Sequence, residues 1–267
     1  MKISSDKKIP DKKWVVCDLD GTLTSTKAPM DTEMAGLMGD LLAAKRVAVI
    51  GGGKYALFRE QLLRPLQTPR SLLARLFLFP TTATSFYRYQ NGWKNIYAHP
   101  LSKQEREKIK KTIREVLKEI QYQPPKKIYG VMIEDRGTQI TFSALGQDVV
   151  KIIGKKRGVA LKEKWARAHG KTKMKIARIL AAKLPQFEVR AAGYTSVDVT
   201  RKGIDKGYGI RQIMKHVGAK IKDMLFLGDA IFPGGNDYAV VRTGVDYIPV
   251  KGPEDTKRII RAILNKK

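Results

Sequence analysis

Two aspartates stand one residue apart at the end of a short apolar run, in the segment VVCDLDGTLT. In an extended chain alternate side chains point the same way, so Asp18 and Asp20 converge where the backbone turns at Gly21. At about 4 Å and an effective dielectric near 20, two carboxylates repel by roughly 4 kcal/mol. A fold that keeps them together needs a cation or a proton between them. The segment therefore predicts a positively charged partner for this pair.

Further carboxylates and a lysine occur downstream in similar settings. Asp229 and Asp237 follow an apolar run in FLGDAIFPGGNDY, and Lys206 stands at the start of a predicted helix in GIDKGYG. The three histidines of the chain show no ligand spacing. Hard oxygen ligands favour Mg²⁺ over zinc. We expect a Mg²⁺ ion that offsets these carboxylates, binds a phosphate oxygen and leaves one carboxylate aligned as a nucleophile.

The elements that would position these residues alternate between strands and helices. A strand is predicted from Trp14, then a helix with Asp31 as its N-cap, then the strand RVAVI, which ends in the glycines 51–53. This order implies a right-handed parallel unit, and ligands of open α/β sheets bind beyond the carboxyl ends of the strands. Asp18 and the glycines stand at such ends. The pattern resumes with a helix near 208–217 and strands at MLFLG and 247–250.

The middle of the chain has a different pattern. Ser102 and Glu105 have the spacing of a capping box and begin an amphipathic helix. The segment VMIEDRGTQITFSALG predicts two strands around a turn at Gly137, followed by a basic helical stretch near 162–184. A helix beside an antiparallel hairpin indicates an α+β insert. We therefore predict an α/β core formed by 1–85 and 191–267, with an α+β cap at 86–190.

Composition sets the broad class. The chain has 267 residues, of which 43% are hydrophobic, and its single cysteine, Cys17, excludes an internal disulfide. Because no segment is long and apolar enough to cross a bilayer, we expect a soluble, cytoplasmic protein without a membrane partner. The formal net charge of +27 fits an anionic ligand, although most of it is interpreted as solvated helix faces. A nucleic-acid partner is not expected.

The motif set resembles that of the haloacid dehalogenase superfamily of phosphotransferases. The resemblance rests on Asp-x-Asp-Gly-Thr at 18–22, the downstream Lys206, and Gly-Asp followed by a later aspartate. The segments GDAIFPGGNDY and VKGPEDT are more narrowly similar to the phosphomannomutase group, type IIB, within it. The resemblance covers nearly the whole chain. It implies a Rossmann-like core with a parallel sheet and an inserted α+β cap of the C2 type, at the place where we predict the insert.

The resemblance also implies roles for matching residues. Asp18 would attack phosphorus to give an aspartyl phosphate, while Asp20 would protonate the leaving oxygen and later activate water or a sugar hydroxyl. Thr22 and Lys206 would stabilise the transferring phosphoryl group. Mg²⁺ would be held by a set of acidic residues: Asp18, Asp20 through its main-chain carbonyl, Asp229, and Asp237 as a further ligand or as a partner of one. A homodimer through the cap is implied as well.

Substrate contacts and two departures complete the comparison with the group. Arg136 in IEDR, with Ser196 and Asp198 in TSVDV, would bind the hydroxyls and the distal phosphate of a phosphorylated sugar. The group has a serine where this chain has the third glycine of 51–53, so the backbone N–H groups of Gly52 and Gly53 would bind phosphate instead.

The second departure is Gln147, which stands where the group has an arginine. Losing an arginine clamp weakens the grip on a second phosphate. On the sequence alone we therefore expect a sugar-phosphate phosphatase, with phosphomannomutase as the alternative. A non-catalytic polyanion-binding protein is a more distant alternative.

Overall fold

The computed structural model of the protein describes residues 1–3 and 9–265. The strands, in chain order, are β1 (Trp14–Cys17), β2 (Arg46–Ile50), β3 (Leu76–Phe79), β4 (Ser85–Tyr89), β5 (Trp93–Ala98), β6 (Ile133–Asp135), β7 (Ile140–Ser143), β8 (Phe187–Ala192), β9 (Ser196–Arg201), β10 (Met224–Gly228) and β11 (Asp246–Pro249). The helices are α1 (Thr32–Ala44), α2 (Tyr55–Phe58), α3 (Arg70–Leu73), α4 (Lys103–Glu119), α5 (Val149–Ile153), α6 (Lys155–Lys183), α7 (Lys206–Val217) and α8 (Pro253–Leu264). A π-helical turn at Arg59–Leu63, a left-handed turn at Pro80–Ala83 and 3₁₀ turns at Ile221–Asp223 and Tyr238–Thr243 complete the regular structure.

The chain forms two compact units whose boundaries differ from those we predicted. Unit 1 comprises Met1–Tyr97 and Asp205–Lys267, and unit 2 comprises Ala98–Ile204. Both boundaries therefore fall later in the chain than 85/86 and 190/191. The reason is strand pairing: β4 joins unit 1 by pairing antiparallel with β3, and β8 and β9 pair within the sheet of unit 2.

Unit 1 is built on a seven-stranded sheet with the order β11-β10-β1-β2-β3-β4-β5. The first five of these strands pair in parallel. Successive residues of β1 are buried on opposite faces, since Val15 and Cys17 pack with α1 and α8, whereas Trp14 and Val16 pack with α7. Burial on both faces accounts for the apolar strand sequences and confirms the predicted α/β class with a parallel sheet.

Unit 2 has a four-stranded antiparallel sheet with the order β6-β7-β9-β8. One face of the sheet is apolar: Phe142 and Val197 pack on Ile113 of α4 and Leu180 of α6. The hairpin predicted around Gly137 is present as β6 and β7, and the basic helix predicted at 162–184 begins earlier, as α6.

Local capping explains where the helices begin. Asp31 accepts a hydrogen bond from the Met34 N–H at the start of α1, as predicted. Ser102 and Glu105 form the predicted capping box of α4. Asp205 accepts from the Tyr208 N–H and so begins α7 at Lys206. None of the helices in the described part of the chain combines the length and apolar character that crossing a bilayer requires.

Candidate active site

The first two acidic residues of the site meet because their strands are neighbours. Cys17 of β1 lies beside Leu227 of β10 in a parallel register, and the Asp18 N–H donates to the Leu227 carbonyl at 3.0 Å. Asp18 and Asp229, which follow these strands, are therefore brought together at the carboxyl edge of the sheet. Asp237 joins them, and one carboxylate oxygen from each of the three lies within 4.8 Å of the others.

The sequence predicts a positive partner between Asp18 and Asp20, whereas the structure places Lys206 between Asp18 and Asp237. The predicted convergence of Asp18 and Asp20 is therefore wrong, because β1 ends at Cys17 and the Asp20 side chain is held by the Lys27 N–H and by Gln61.

The Lys206 side chain is fully buried, its Nζ lies 2.8 Å from Asp18 Oδ1, and it also pairs with Asp237 Oδ1. Desolvation opposes the ammonium form, but the two carboxylates outweigh that cost and raise the pKa of Lys206 above its ordinary value. Burial raises the pKa of Asp18 well above its ordinary value in turn; Lys206 opposes that rise, and Asp237 and Asp229 add to it.

Two glycines make room for the other carboxylates. A Cβ atom at Gly21, whose φ is +88°, would lie 2.4 Å from Asp229 Oδ2, and one at Gly228 would lie 2.6 Å from Asp237 Oδ2. Asp237 is buried and accepts a hydrogen bond from the Ala230 N–H at 3.0 Å, whereas Asp229 is exposed. Desolvation and the Asp237 carboxylate raise the pKa of Asp229 to about 6. Asp229 therefore keeps some solvent-exposed surface, while the atoms packed around its carboxylate desolvate it.

The charge and chemistry of this cluster fit a divalent cation. Three carboxylates and one ammonium leave a net charge of −2 when all are ionised. The donors are all oxygens, and their span is close to that of two oxygens on opposite sides of one ion, roughly 4–5 Å. The Asp20 side chain lies outside this cluster.

Thr22 is a buried residue at the turn after Asp20. It has no exposed surface, and its Oγ1 has no hydrogen-bond partner within the described residues. An unsatisfied buried hydroxyl costs about 1–3 kcal/mol unless a water or a ligand atom binds it.

The glycine loop after β2 is held by a turn that sequence analysis did not detect. The Thr82 N–H donates to the Gly51 carbonyl at 2.9 Å, and the Thr81 N–H donates to the Gly53 carbonyl at 2.8 Å. Thr81, Thr82 and Ala83 have φ values of 49°, 58° and 65°. Left-handed geometry costs a non-glycine residue about 1–2 kcal/mol. No residue type in PTTA signals this geometry, so only the tertiary structure shows it.

The residues predicted to contact substrate lie on the sheet of unit 2. Asp198 faces Thr141 across β7 and β9, and its Oδ1 accepts from Thr141 Oγ1 at 2.7 Å. Ser196, two residues earlier on β9, shares that face. Arg136 is held by Glu134 at 2.8 Å and donates to Gln147 Oε1 at 3.2 Å. This polar face therefore carries all three predicted residues, although 191–267 was assigned to the core.

Sequence reasoning assigned no role to the neighbours that hold these residues. Thr141 accepts from Gln139 Nε2 at 2.9 Å while it donates to Asp198, and both Gln139 and Thr141 are buried. The available signal was the alternation of polar and apolar residues along β7, which we used only to predict a strand. Polar side chains in a strand with no exposed residue indicate a hydrogen-bonded network.

Comparison with known proteins gives a consistent assignment. Residues 34–266 match the sequence profile of the family described as eukaryotic phosphomannomutase. A phosphomannomutase of Encephalitozoon cuniculi is 26% identical over 257 residues, which cover 96% of this chain and 95% of that protein. A probable phosphomannomutase of Caenorhabditis elegans is 28% identical over 264 residues, with 94% of both proteins covered.

A solved structure shares the fold. The IMP-bound, N-terminally truncated IMP-nucleotidase of Plasmodium falciparum superposes with a TM-score of 0.70 at 12% identity, covering 95% of this chain and 68% of that one. The sequence relatives support the mutase alternative better than the hydrolase that we placed first. The chain is an enzyme of the haloacid dehalogenase superfamily, and within that superfamily it belongs to the eukaryotic phosphomannomutase family.

Proposed function

We propose that this protein is a Mg²⁺-dependent phosphomutase that interconverts mannose 1-phosphate and mannose 6-phosphate through an aspartyl phosphate on Asp18. The observation that carries the proposal is the cluster of Asp18, Asp229, Asp237 and Lys206 beyond β1 and β10. It supplies a nucleophile, oxygen ligands for a cation and a fixed positive charge at one sheet edge. The names of the sequence relatives support mannose phosphates as the substrates.

The first half-reaction transfers the phosphoryl group to the protein. An Asp18 oxygen bonds to phosphorus while the bond from phosphorus to the sugar oxygen breaks. The electron pair of that bond stays on the sugar oxygen, which takes a proton from Asp20. Lys206 and the Thr22 hydroxyl offset the charge on the phosphoryl oxygens. In the second half-reaction Asp20 takes the proton of the acceptor hydroxyl, which attacks phosphorus and releases Asp18.

Mg²⁺ would be held by Asp18, Asp229 and the Asp20 main-chain carbonyl, with Asp237 as a further ligand or as a partner of one. When bound, it supplies Lewis-acid neutralisation of phosphoryl charge. Asp237 also holds Lys206, so one buried residue connects the metal ligands with the fixed ammonium. In unit 2, Arg136, Ser196 and Asp198 would bind the sugar hydroxyls and the distal phosphate. A homodimer through unit 2 stays a prediction.

A hydrolase is the second candidate, and one feature of unit 2 favours it. Gln147 occupies the position of a phosphate-binding arginine in the group, and its Oε1 accepts a hydrogen bond from Arg136. A mutase must retain a sugar bisphosphate while the sugar reorients, whereas a hydrolase releases the sugar after the first transfer. One arginine fewer weakens the retention of a doubly phosphorylated sugar.

The two candidates are separated by the product formed from mannose 1-phosphate. The protein is incubated with Mg²⁺, with and without a hexose 1,6-bisphosphate, and both free phosphate and mannose 6-phosphate are followed. Bisphosphate-dependent mannose 6-phosphate without stoichiometric phosphate release supports the mutase. Phosphate release without the isomer would establish the hydrolase, and no turnover of either kind, with Mg²⁺ present, would contradict phosphoryl transfer to Asp18.

We expect Gly53→Ser to raise the rate of phosphoryl transfer by about tenfold, because it restores a hydroxyl beside the transferring group. One charge-assisted hydrogen bond of about 1.4 kcal/mol corresponds to that factor. Gly53 has no left-handed φ, and an added Cβ would lie 3.1 Å from Leu57 Cδ1 and 3.2 Å from Leu57 Cβ, so α2 must shift by a few tenths of an ångström to admit a side chain. The measurement is kcat on mannose 1-phosphate.

Gly53→Ala is the matched control, because it adds the same Cβ without the hydroxyl. The alanine variant should show no gain in kcat. Equal rates for the serine and alanine variants would show that the backbone N–H groups of the loop already satisfy the phosphoryl oxygens.

A further inference from the structure

Asp20 is held by two donors from separate segments of unit 1. The Lys27 N–H donates to Asp20 Oδ1 at 2.5 Å, and Gln61 Nε2 donates to the same oxygen at 2.9 Å. Lys27 has a φ of 53°, a left-handed geometry that is uncommon for a side chain of its kind. Both donors bind Oδ1, and Oδ2 accepts no hydrogen bond from the described residues.

Gln61 is placed for this contact by an irregular helical turn. It lies in the π-helical turn Arg59–Leu63, where the Arg64 N–H donates to the Arg59 carbonyl at 2.8 Å. Turns of this kind are rare and occur often at functional sites. Gln61 is 1% exposed, and its main-chain carbonyl accepts from the Met30 N–H at 2.9 Å. Its backbone and side chain are therefore both fixed relative to the loop after Asp20.

The orientation of the Gln61 amide follows from its neighbours. Nε2 faces two acceptors, Asp20 Oδ1 at 2.9 Å and the Ala28 carbonyl at 3.3 Å. The opposite orientation would place an oxygen against two oxygens, so the nitrogen must face them. Gln61 Oε1 has no hydrogen-bond partner within the described residues. The fold leaves this buried acceptor unsatisfied while it directs the donor at Asp20.

From this geometry we infer that Gln61 is a positioning residue that holds Asp20 in the orientation needed for proton transfer to and from the sugar oxygen. The inference rests on the proposed role of Asp20 in phosphoryl transfer. A general acid acts only when its proton-bearing oxygen is within hydrogen-bond reach of the leaving oxygen. Removing one of two donors from Oδ1 lets the carboxyl group rotate away from that geometry.

The test compares Gln61→Met in two backgrounds, with Mg²⁺ present and mannose 1-phosphate as substrate. Methionine keeps the length and volume of glutamine and removes the donor. We expect Gln61→Met to lower kcat at least tenfold in the otherwise native protein and less than about twofold in Asp20→Asn. A merely structural role for Gln61 would lower kcat by the same factor in both backgrounds, and that result would overturn the inference.

A second substrate gives a readout that a folding defect does not reproduce. Phosphoryl transfer from 4-nitrophenyl phosphate or acetyl phosphate needs no proton for the leaving group, so the rate of the first half-reaction should fall less than about threefold in Gln61→Met. An equal loss with both kinds of substrate would also overturn the inference. Gln67→Met, at an exposed glutamine, is the matched control and should behave as the native protein.

The failure of the inference is distinguishable from failure of the proposed function. If Asp20→Asn is impaired on mannose 1-phosphate while Gln61→Met is not, only the positioning role is wrong. If Asp20→Asn itself turns over at the native rate, the proposed proton transfer is wrong. Thermal unfolding of each variant shows whether unit 1 remains folded.

Discussion

Asp18→Asn should lower turnover of mannose 1-phosphate by at least a thousandfold while the protein remains folded. An amide cannot form the acyl phosphate that a carboxylate forms, and amide nitrogen is a poor ligand for Mg²⁺. The fold should tolerate the change because asparagine has nearly the same size as aspartate and Lys206 would keep its contact with Asp237. The measurements are kcat and the covalent phosphoprotein trapped by acid after mixing with substrate.

Asp40→Asn is the matched control for this variant. Asp40 is exposed on α1, so the same change in charge occurs away from the site. The control should retain both native turnover and the acid-trapped phosphoprotein. Residual activity of Asp18→Asn above about one per cent of the native rate, with no trapped phosphoprotein in the native enzyme, would remove Asp18 from the role of nucleophile.

Lys206→Met should destabilise the protein by about 3–5 kcal/mol at neutral pH and also strongly lower turnover. Lys206 has no exposed side chain, and it is bonded to both Asp18 and Asp237. Methionine fills a similar volume but leaves two buried carboxylates without their counter-charge, which is the costly way to break a buried ion pair. The measurement is the free energy of unfolding in urea.

The pH dependence of this loss has a definite sign. Without the ammonium, the folded variant favours protonated carboxylates, so its folded state binds more protons than its unfolded state. Its stability therefore falls as pH rises. The difference from the native protein should be larger at pH 8 than at pH 5. Mg²⁺ should recover part of the stability, because it binds the same carboxylates in the folded state only.

Lys215→Met is the control on the same helix, since Lys215 is exposed near the end of α7. It should change stability by less than about 0.5 kcal/mol and leave turnover unchanged. A Lys206→Met variant as stable as this control at pH 8 would show that Asp18 and Asp237 are not both ionised around the lysine in the native fold.

Local sequence patterns determined the core elements and the central residues of the candidate site. Asp18 and Asp229 each follow a short apolar run, and parallel strands place their carboxyl ends at one edge, so their meeting could be predicted before any coordinates. The N-caps Asp31 and Ser102 could also be predicted from the sequence, because an N-cap depends on residues within one helical turn. The sequence also predicted a positive charge beside Asp18, but it placed that charge between Asp18 and Asp20, whereas Lys206 lies between Asp18 and Asp237.

The tertiary structure decided what depends on residues far apart in the chain. No local sequence pattern indicated that β8 and β9 belong to the sheet of β7 and not to the core sheet. The predicted boundaries were therefore misplaced. The Gln61 contact to Asp20 and the Thr82 contact to the glycine loop join segments roughly 30–40 residues apart. Sequence periodicity reports which face of an element is buried, but it carries no information on which distant donor reaches that face. The free energy of the whole packed chain decides which strands pair and which donor reaches a given acceptor. In this protein it decides the contacts that hold Asp20 and the glycine loop.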